Sequence, residues 1–301
     1  MKKIVISLIL VLICFSCKSE KKNNGKINVV TTTTMITDLV KNIGDTLINV
    51  QGLMGSGVDP HLYKASEGDV TKLANADVIF YNGLHLEGKL VEVFKKMKNK
   101  KTIAISSTLD KSTLIGSDYF ASNYDPHIWF DIDYWKEAAD FVEYYLSEAV
   151  PEKKDVFASN RKVYVEKLNK LKKELYDTID VLPKEQRILV TAHDAFNYFG
   201  KAFDFEVVGL QGLSTATEAG VQDVQKLSAF IIENKVKAIF VESSVPKRTI
   251  EALQASVKSK GHEVVIGGTL YSDALGDAGA IEGTYIGMFR YNVNTIVDAL
   301  K

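Results

Sequence analysis

The chain runs to 301 residues, with 37 Lys and Arg against 38 Asp and Glu and a formal net charge of −1. That balance offers no basic field for a phosphate backbone, so no nucleic-acid partner is expected. Its two cysteines are Cys14 and Cys17, so an exported chain would hold no disulfide and must rest on its core or on a bound ligand.

Residues 1–16 read as a lipoprotein signal peptide. Lys2 and Lys3 precede an apolar run from Ile4 to Phe15 that is too short to span a bilayer. Ser16 stands at a cleavage position and Cys17 becomes the first mature residue and the candidate lipidation site, although Cys14 and Phe15 match a lipobox loosely. An ordinary cleaved secretory peptide is the alternative. The Cys14-x-x-Cys17 spacing has no strand before it, which argues against a redox motif. Loss of residues 1–16 removes Lys2 and Lys3 and takes the formal charge to −3. Residues 17–26 are polar and suit a tether between a lipid and a folded body. The expected location is outside the cytoplasm, on a membrane through the lipid anchor.

From residue 27 short apolar runs alternate with amphipathic stretches. The segments 27–32, 47–54, 77–83 and 101–107 read as strands, with helices over 35–43, 67–76, 87–97 and 134–149 between or after them. Strands spaced by helices predict crossover units and a mostly parallel sheet. Residues 151–182 differ, having no strand-like run and no Gly or Pro after Pro151. Tyr164, Leu168, Leu171, Leu175 and Ile179 fall at helical steps and form one apolar stripe. A second alternating block follows, with strands at 187–192, 205–210, 237–244 and 263–268 and helices over 221–234, 249–260 and 283–300. The fold class expected is α/β: a lobe over 27–150, a rigid linking helix over 151–183 and a second lobe over 184–301. A stiff helical connection favours small clamp motions.

No Walker A sequence, Gly-x-Ser-x-Gly elbow or His-Glu-x-x-His helix is present. Gly55-x-Gly57 leads into Val-Asp-Pro, which is not the helix start that a dinucleotide fingerprint needs. The tripeptide Asp-Pro-His, however, occurs twice, at 59–61 and 125–127, in a chain with five prolines and five histidines. Proline fixes its own φ and restricts the residue before it, so each imidazole arrives from a pre-shaped loop. His61 follows a predicted strand, His127 precedes a predicted helix, and His193 and Asp273 follow predicted strands, where α/β lobes bind ligands. Three imidazoles and one carboxylate suit zinc, and the carboxylate also suits manganese. Against this, a single loop histidine is most often solvated, and Asp273 could serve as a helix N-cap. The separations of 66, 66 and 80 residues carry no metal-motif meaning by themselves. His85 and His262 read as surface positions or as groups behind a ligand.

The blocks GSGVDPHLYKASEGDVTKLANADVIFYNGLHLEGKL, DPHIWFDI, TAHDAFNYFGKAF, VVGLQGLSTATEAG and YSDALG, followed by GTYIGMFRYNV, resemble the signature segments of the zinc/manganese solute-binding proteins of ABC importers, the TroA/ZnuA-like family. The resemblance runs in order from about residue 27 to 301. It implies two α/β lobes joined by a rigid helix with one Zn2+ or Mn2+ held between them. His61 and His127 would be the ligands from the first lobe, and His193 and Asp273 those from the second. It also implies a membrane permease as partner, with the protein itself a monomer. Segment 106–124 lacks the histidines common in zinc-dedicated members, and His193 stands where manganese-dedicated members commonly carry Glu, so the metal stays open between the two.

A metal-dependent hydrolase built on the same cluster is the alternative, with Glu242 as its spare general base, although a strand-end Glu more often hydrogen-bonds neighbouring backbone or a ligand His. Catalytic zinc usually has three protein ligands and a water, so four protein ligands favour transport over catalysis and the chain is expected not to be an enzyme. Cell adhesion is an additional role that no residue here supports positively.

Overall fold

The computed structural model describes residues 25–97 and 101–301. The signal peptide, Cys17 and most of the expected tether lie outside the described residues.

The strands form two parallel four-stranded sheets. In the first, β1 (Asn28–Thr31), β2 (Asn49–Gly52), β3 (Val78–Tyr81) and β4 (Lys101–Ala104) lie in the order β2-β1-β3-β4. In the second, β5 (Ile188–His193), β6 (Glu206–Gln211), β7 (Ala238–Glu242) and β8 (Val265–Leu270) lie in the order β6-β5-β7-β8. The two orders are equivalent: the second strand steps to one side of the first, and the third and fourth step to the other. Strand order therefore reverses between β1 and β3 and again between β5 and β7, and the carboxyl ends at such reversals open a crevice. The central strands are covered on both faces, which is why they read as apolar runs without alternation; all of Ala238–Glu242 is buried.

Helix boundaries follow local capping. In α1 (Thr34–Gly44) the Thr33 hydroxyl accepts the Ile36 N–H, and in α2 (Glu67–Ala74) Ser66 and Asp69 form a capping box. In α4 (Ile132–Ala149) the Asp131 carboxylate accepts N–H groups of Asp133 and Tyr134, which starts the helix two residues ahead of the expected 134. Residues 87–97 were expected to be helical, but only α3 (Val91–Lys96) forms. The reason is Glu87, which is fully buried and turns its carboxylate back to accept N–H groups of Asn82 and Gly83, holding the segment before α3 in turns. Gly83, Leu84 and His85 in those turns have φ of 84°, 51° and 65°.

The long helix α5 (Lys154–Ile179) has 26 residues and spans about 39 Å at 1.5 Å per residue. Its buried face is Phe157, Tyr164, Leu168, Leu171, Leu175 and Ile179, the predicted stripe extended by two turns. It packs against α1, α4 and α9 (Tyr285–Leu300), so one apolar core runs from the first lobe through the helix into the second. Arg290 of α9 makes a two-pronged contact to Glu174 of α5, at 2.8 and 2.9 Å. The short α6 (Asn197–Phe203) was not legible as a helix, while α7 (Val221–Glu233) and α8 (Arg248–Ser259) fall where expected. A shared core and a stiff helix leave little room for the lobes to swing apart.

Candidate metal centre

Four side chains converge at the facing carboxyl ends of the two sheets. His61 lies in the turn after β2, His127 just before a 3-10 turn at Ile128–Phe130, His193 ends β5, and Asp273 lies just past β8. All four are buried, at 5 %, 0 %, 0 % and 1 % exposure. Each offers one atom to a cluster whose members lie within 4.8 Å of one another. Asp273 Oδ2 is 3.7 Å from His61 Nε2 and 3.2 Å from His193 Nε2, and Asp273 Oδ1 is 3.6 Å from His127 Nε2. The three imidazole centroids stand 5.3 to 5.8 Å apart.

The repeated Asp-Pro-His has a concrete structural meaning. In each copy the Asp carboxylate accepts the backbone N–H of the His two residues on: His61 N to Asp59 Oδ1 at 2.8 Å, and His127 N to Asp125 Oδ1 at 2.9 Å. Proline has no N–H to compete and fixes φ between them, so the carboxylate closes a tight turn that aims the imidazole inward. Both carboxylates also reach across to the second lobe. Asp125 Oδ2 accepts from Asn197 Nδ2 at 3.0 Å, and Asp59 Oδ2 accepts from the Thr215 hydroxyl at 2.5 Å.

Two carboxylates stand behind the imidazoles. Asp125 Oδ1 is 2.7 Å from His127 Nδ1, and Glu242 Oε2 is 2.6 Å from His193 Nδ1. Glu242, at the end of β7, also accepts the His193 backbone N–H at 2.8 Å through Oε1. An imidazole held at Nδ1 by a carboxylate directs its Nε2 lone pair toward a ligand and becomes more basic. On the first-lobe side, Asn82 donates to the carbonyl of Pro126 at 2.9 Å and fixes the loop that carries His127.

The electrostatics follow from burial and from these pairings. Burial pushes the His61 imidazole down to about 3, with Asp273 opposing the shift, so His61 is neutral near pH 7. Burial also disfavours the His193 cation, but Glu242 and Asp273 outweigh it and hold His193 well above the ordinary imidazole value. Burial opposes ionisation of Asp273, yet His193 and then the other imidazoles bring its carboxyl below the usual carboxylate range.

The three Nε2 atoms and both Asp273 oxygens are buried and have no hydrogen-bond partner, while His193 Nδ1 and Glu242 Oε2, also without an aligned hydrogen bond, face each other as an ion pair at 2.6 Å. Buried polar atoms are nearly always paired, so five unpaired ones aimed at a common centre are a donor set for a cation. Asp273 could bind through one oxygen or two, giving four or five donors, N3O or N3O2, which suits zinc at the lower number and manganese at the higher. The helix N-cap alternative for Asp273 finds no helix at 274–280. His85 is exposed, with its ring 6.3 Å from that of Phe120, and His262 sits in the turn after α8; neither joins the cluster. The inter-lobe roles of Asp59 and Asp125 were not read from sequence, although the Asp in both repeats was a signal available to find them.

Comparison with known proteins agrees with this geometry. Residues 29–299 match the family model described as ZnuA, zinc-uptake complex component A, periplasmic. The chain is 47% identical over 289 residues to the manganese-binding lipoprotein MntA of Bacillus subtilis, covering 96% of this chain and 94% of that one. It is 49% identical over 278 residues to the zinc-binding protein TroA of Treponema pallidum, covering 92% and 90%. The solved structure of that periplasmic TroA superposes with a TM-score of 0.89 over 92% of this chain and 99% of that one. With this match over nearly its whole described length, the chain belongs to the ZnuA family, the metal solute-binding proteins of ABC importers.

Proposed function

We propose that this protein is the extracytoplasmic receptor of an ABC importer that captures one zinc or manganese ion and delivers it to the membrane permease. His61, His127, His193 and Asp273 are the ligands in this reading. The observation that carries it is the set of five buried, unpaired donor atoms converging from both lobes. Asp125 and Glu242 behind the imidazoles add negative charge, so a dication is compensated inside the core. Relatives named for manganese and for zinc support either ion as cargo.

The protein acts as a monomer tethered by acyl chains on Cys17. Residues 17–26 form the tether, 27–150 and 184–301 the two lobes, and 151–183 the linking helix. Catalysis is not its role: Glu242, the one spare base considered for a hydrolase, turns both oxygens toward His193. Elemental analysis of protein purified without chelator, followed by competition between zinc and manganese, tests the reading. One equivalent of either metal supports it, and protein that takes up neither overturns it.

A further inference from the structure

The three imidazoles are not braced alike. His127 Nδ1 is hydrogen-bonded to Asp125 and His193 Nδ1 makes a 2.6 Å ion-pair contact with Glu242, whereas among the described residues neither a hydrogen bond nor an ion pair reaches Nδ1 of His61. Among the described residues the one hydrogen bond of His61 is from its backbone N–H to Asp59 Oδ1, and the second oxygen of Asp59 is tied from the opposite lobe by the Thr215 hydroxyl at 2.5 Å. Asp125, the matching residue of the other repeat, is fully buried, but Asp59 is half-buried. Thr215 sits between β6 and α7 in residues 212–220, which form neither helix nor strand. Residues 212–214 and 217–219, on either side of Thr215, line a solvent-open cleft with Phe120 and Asp194, and the Phe120 ring stands edge-on to His61 at 6.5 Å. His61 is the most exposed of the four ligands, at 5 %, and the one with the least support behind its ring.

We propose that Thr215 is a positioning residue that acts through Asp59 on His61, and that breaking the Thr215–Asp59 hydrogen bond is the step that lets the metal leave. The inference rests on the metal-receptor reading above. Withdrawing His127 or His193 would separate a ring from its buried carboxylate. Withdrawing His61 needs only that the 59–61 turn shift outward, and Thr215 is what holds that turn from the second lobe. Thr215 thereby couples residues 212–220 to His61 through Asp59, while the start of the same segment is tied beside His193, the Gly212 carbonyl accepting the Asp194 N–H at 3.3 Å.

Full-length protein loaded with Zn2+ and challenged with excess chelator reads the release rate. Thr215→Val should release zinc on the order of tenfold faster, the scale expected for losing a hydrogen bond to a carboxylate, with association within about twofold of wild type. Thr215→Ser, which keeps the hydroxyl, should restore a rate close to wild type. In an Asp59→Ala background, Thr215→Val should add no further acceleration, because the partner is already gone. Release from Thr215→Val at the wild-type rate, a Thr215→Ser as fast as Thr215→Val, or additive acceleration with Asp59→Ala would each overturn the assignment. Wild-type protein that takes up no zinc and no manganese would instead remove the receptor reading on which it rests.

Discussion

Trp129 donates its indole N–H to the carbonyl oxygen of Ser272 at 2.9 Å, so a residue two past His127 is bonded to the residue just before Asp273. The Trp129 carbonyl in turn accepts the Tyr285 hydroxyl at 2.7 Å. One bond thus sets the imidazole of the first lobe against the carboxylate of the second. Trp129→Phe keeps an aromatic ring but leaves the buried Ser272 carbonyl unpaired, which should cost about 1–3 kcal/mol in denaturant unfolding. Metal affinity should fall about tenfold in calorimetry, since Asp273 loses its fixed backbone. Unchanged affinity would mean that Asp273 is positioned independently of Trp129.

Metal that binds only the native state should raise its stability by about 4 kcal/mol when free metal is a thousandfold above Kd, a shift on the order of 10 °C in melting. Asp273→Ala should abolish most of that shift, because it removes two of the five unpaired donor atoms and the only negative one. His262→Ala should preserve it. Differential scanning calorimetry of the two variants with and without zinc decides the point, and equal shifts would take Asp273 out of the site.

Metal binding should expel a proton from His193 at neutral pH. Glu242 and Asp273 hold this imidazole well above its ordinary value despite burial, so it is protonated near pH 7 in metal-free protein, whereas His61 is already neutral. A folded-state value raised above the unfolded one stabilises metal-free protein below about 6.5 and loses that stabilisation as pH rises through the raised value. Metal affinity runs the other way and weakens as pH falls. Titration calorimetry in buffers of different ionisation enthalpy should give close to one proton released per metal at pH 7. Glu242→Gln should release markedly less, and an identical release would show that the proton comes from elsewhere.

Cys17 lies outside the described residues, and its role rests on the cationic start and apolar run before it. Acyl chains contribute about 0.8 kcal/mol per buried methylene, so two or more should hold the mature protein on membranes. Cys17→Ser should move it to the soluble fraction. Continued membrane fractionation of the variant, without fatty-acid labelling of wild type, would contradict the anchor.

Much of the fold was legible because its causes are local. Apolar runs bounded by turns marked the eight strands of the described residues, and the stripe from Tyr164 to Ile179 marked the buried face of α5. Where a local signal failed, a distant contact had intervened: Glu87 reaches back to Asn82 and Gly83 and accepts the hydroxyl of Thr32, just past β1, at 2.6 Å, which cuts short the helix expected over 87–97.

The residue types of the site were also written in the chain, in two Asp-Pro-His turns, a His at a strand end and an Asp past another strand. Only the tertiary structure decided that they meet, because separations of 66, 66 and 80 residues close only when two equivalent sheets face each other across a shared core. The cross-lobe partners around them were not readable in sequence, although a strand-end Glu such as Glu242 is a common partner of a ligand His. Thr215 lies 156 residues from Asp59, Asn197 lies 72 from Asp125, and Ser272 lies 143 from Trp129. Periodicity and capping act over a few residues and can be read along the chain, whereas these hydrogen bonds exist only because packing brings one lobe's loops within reach of the other's.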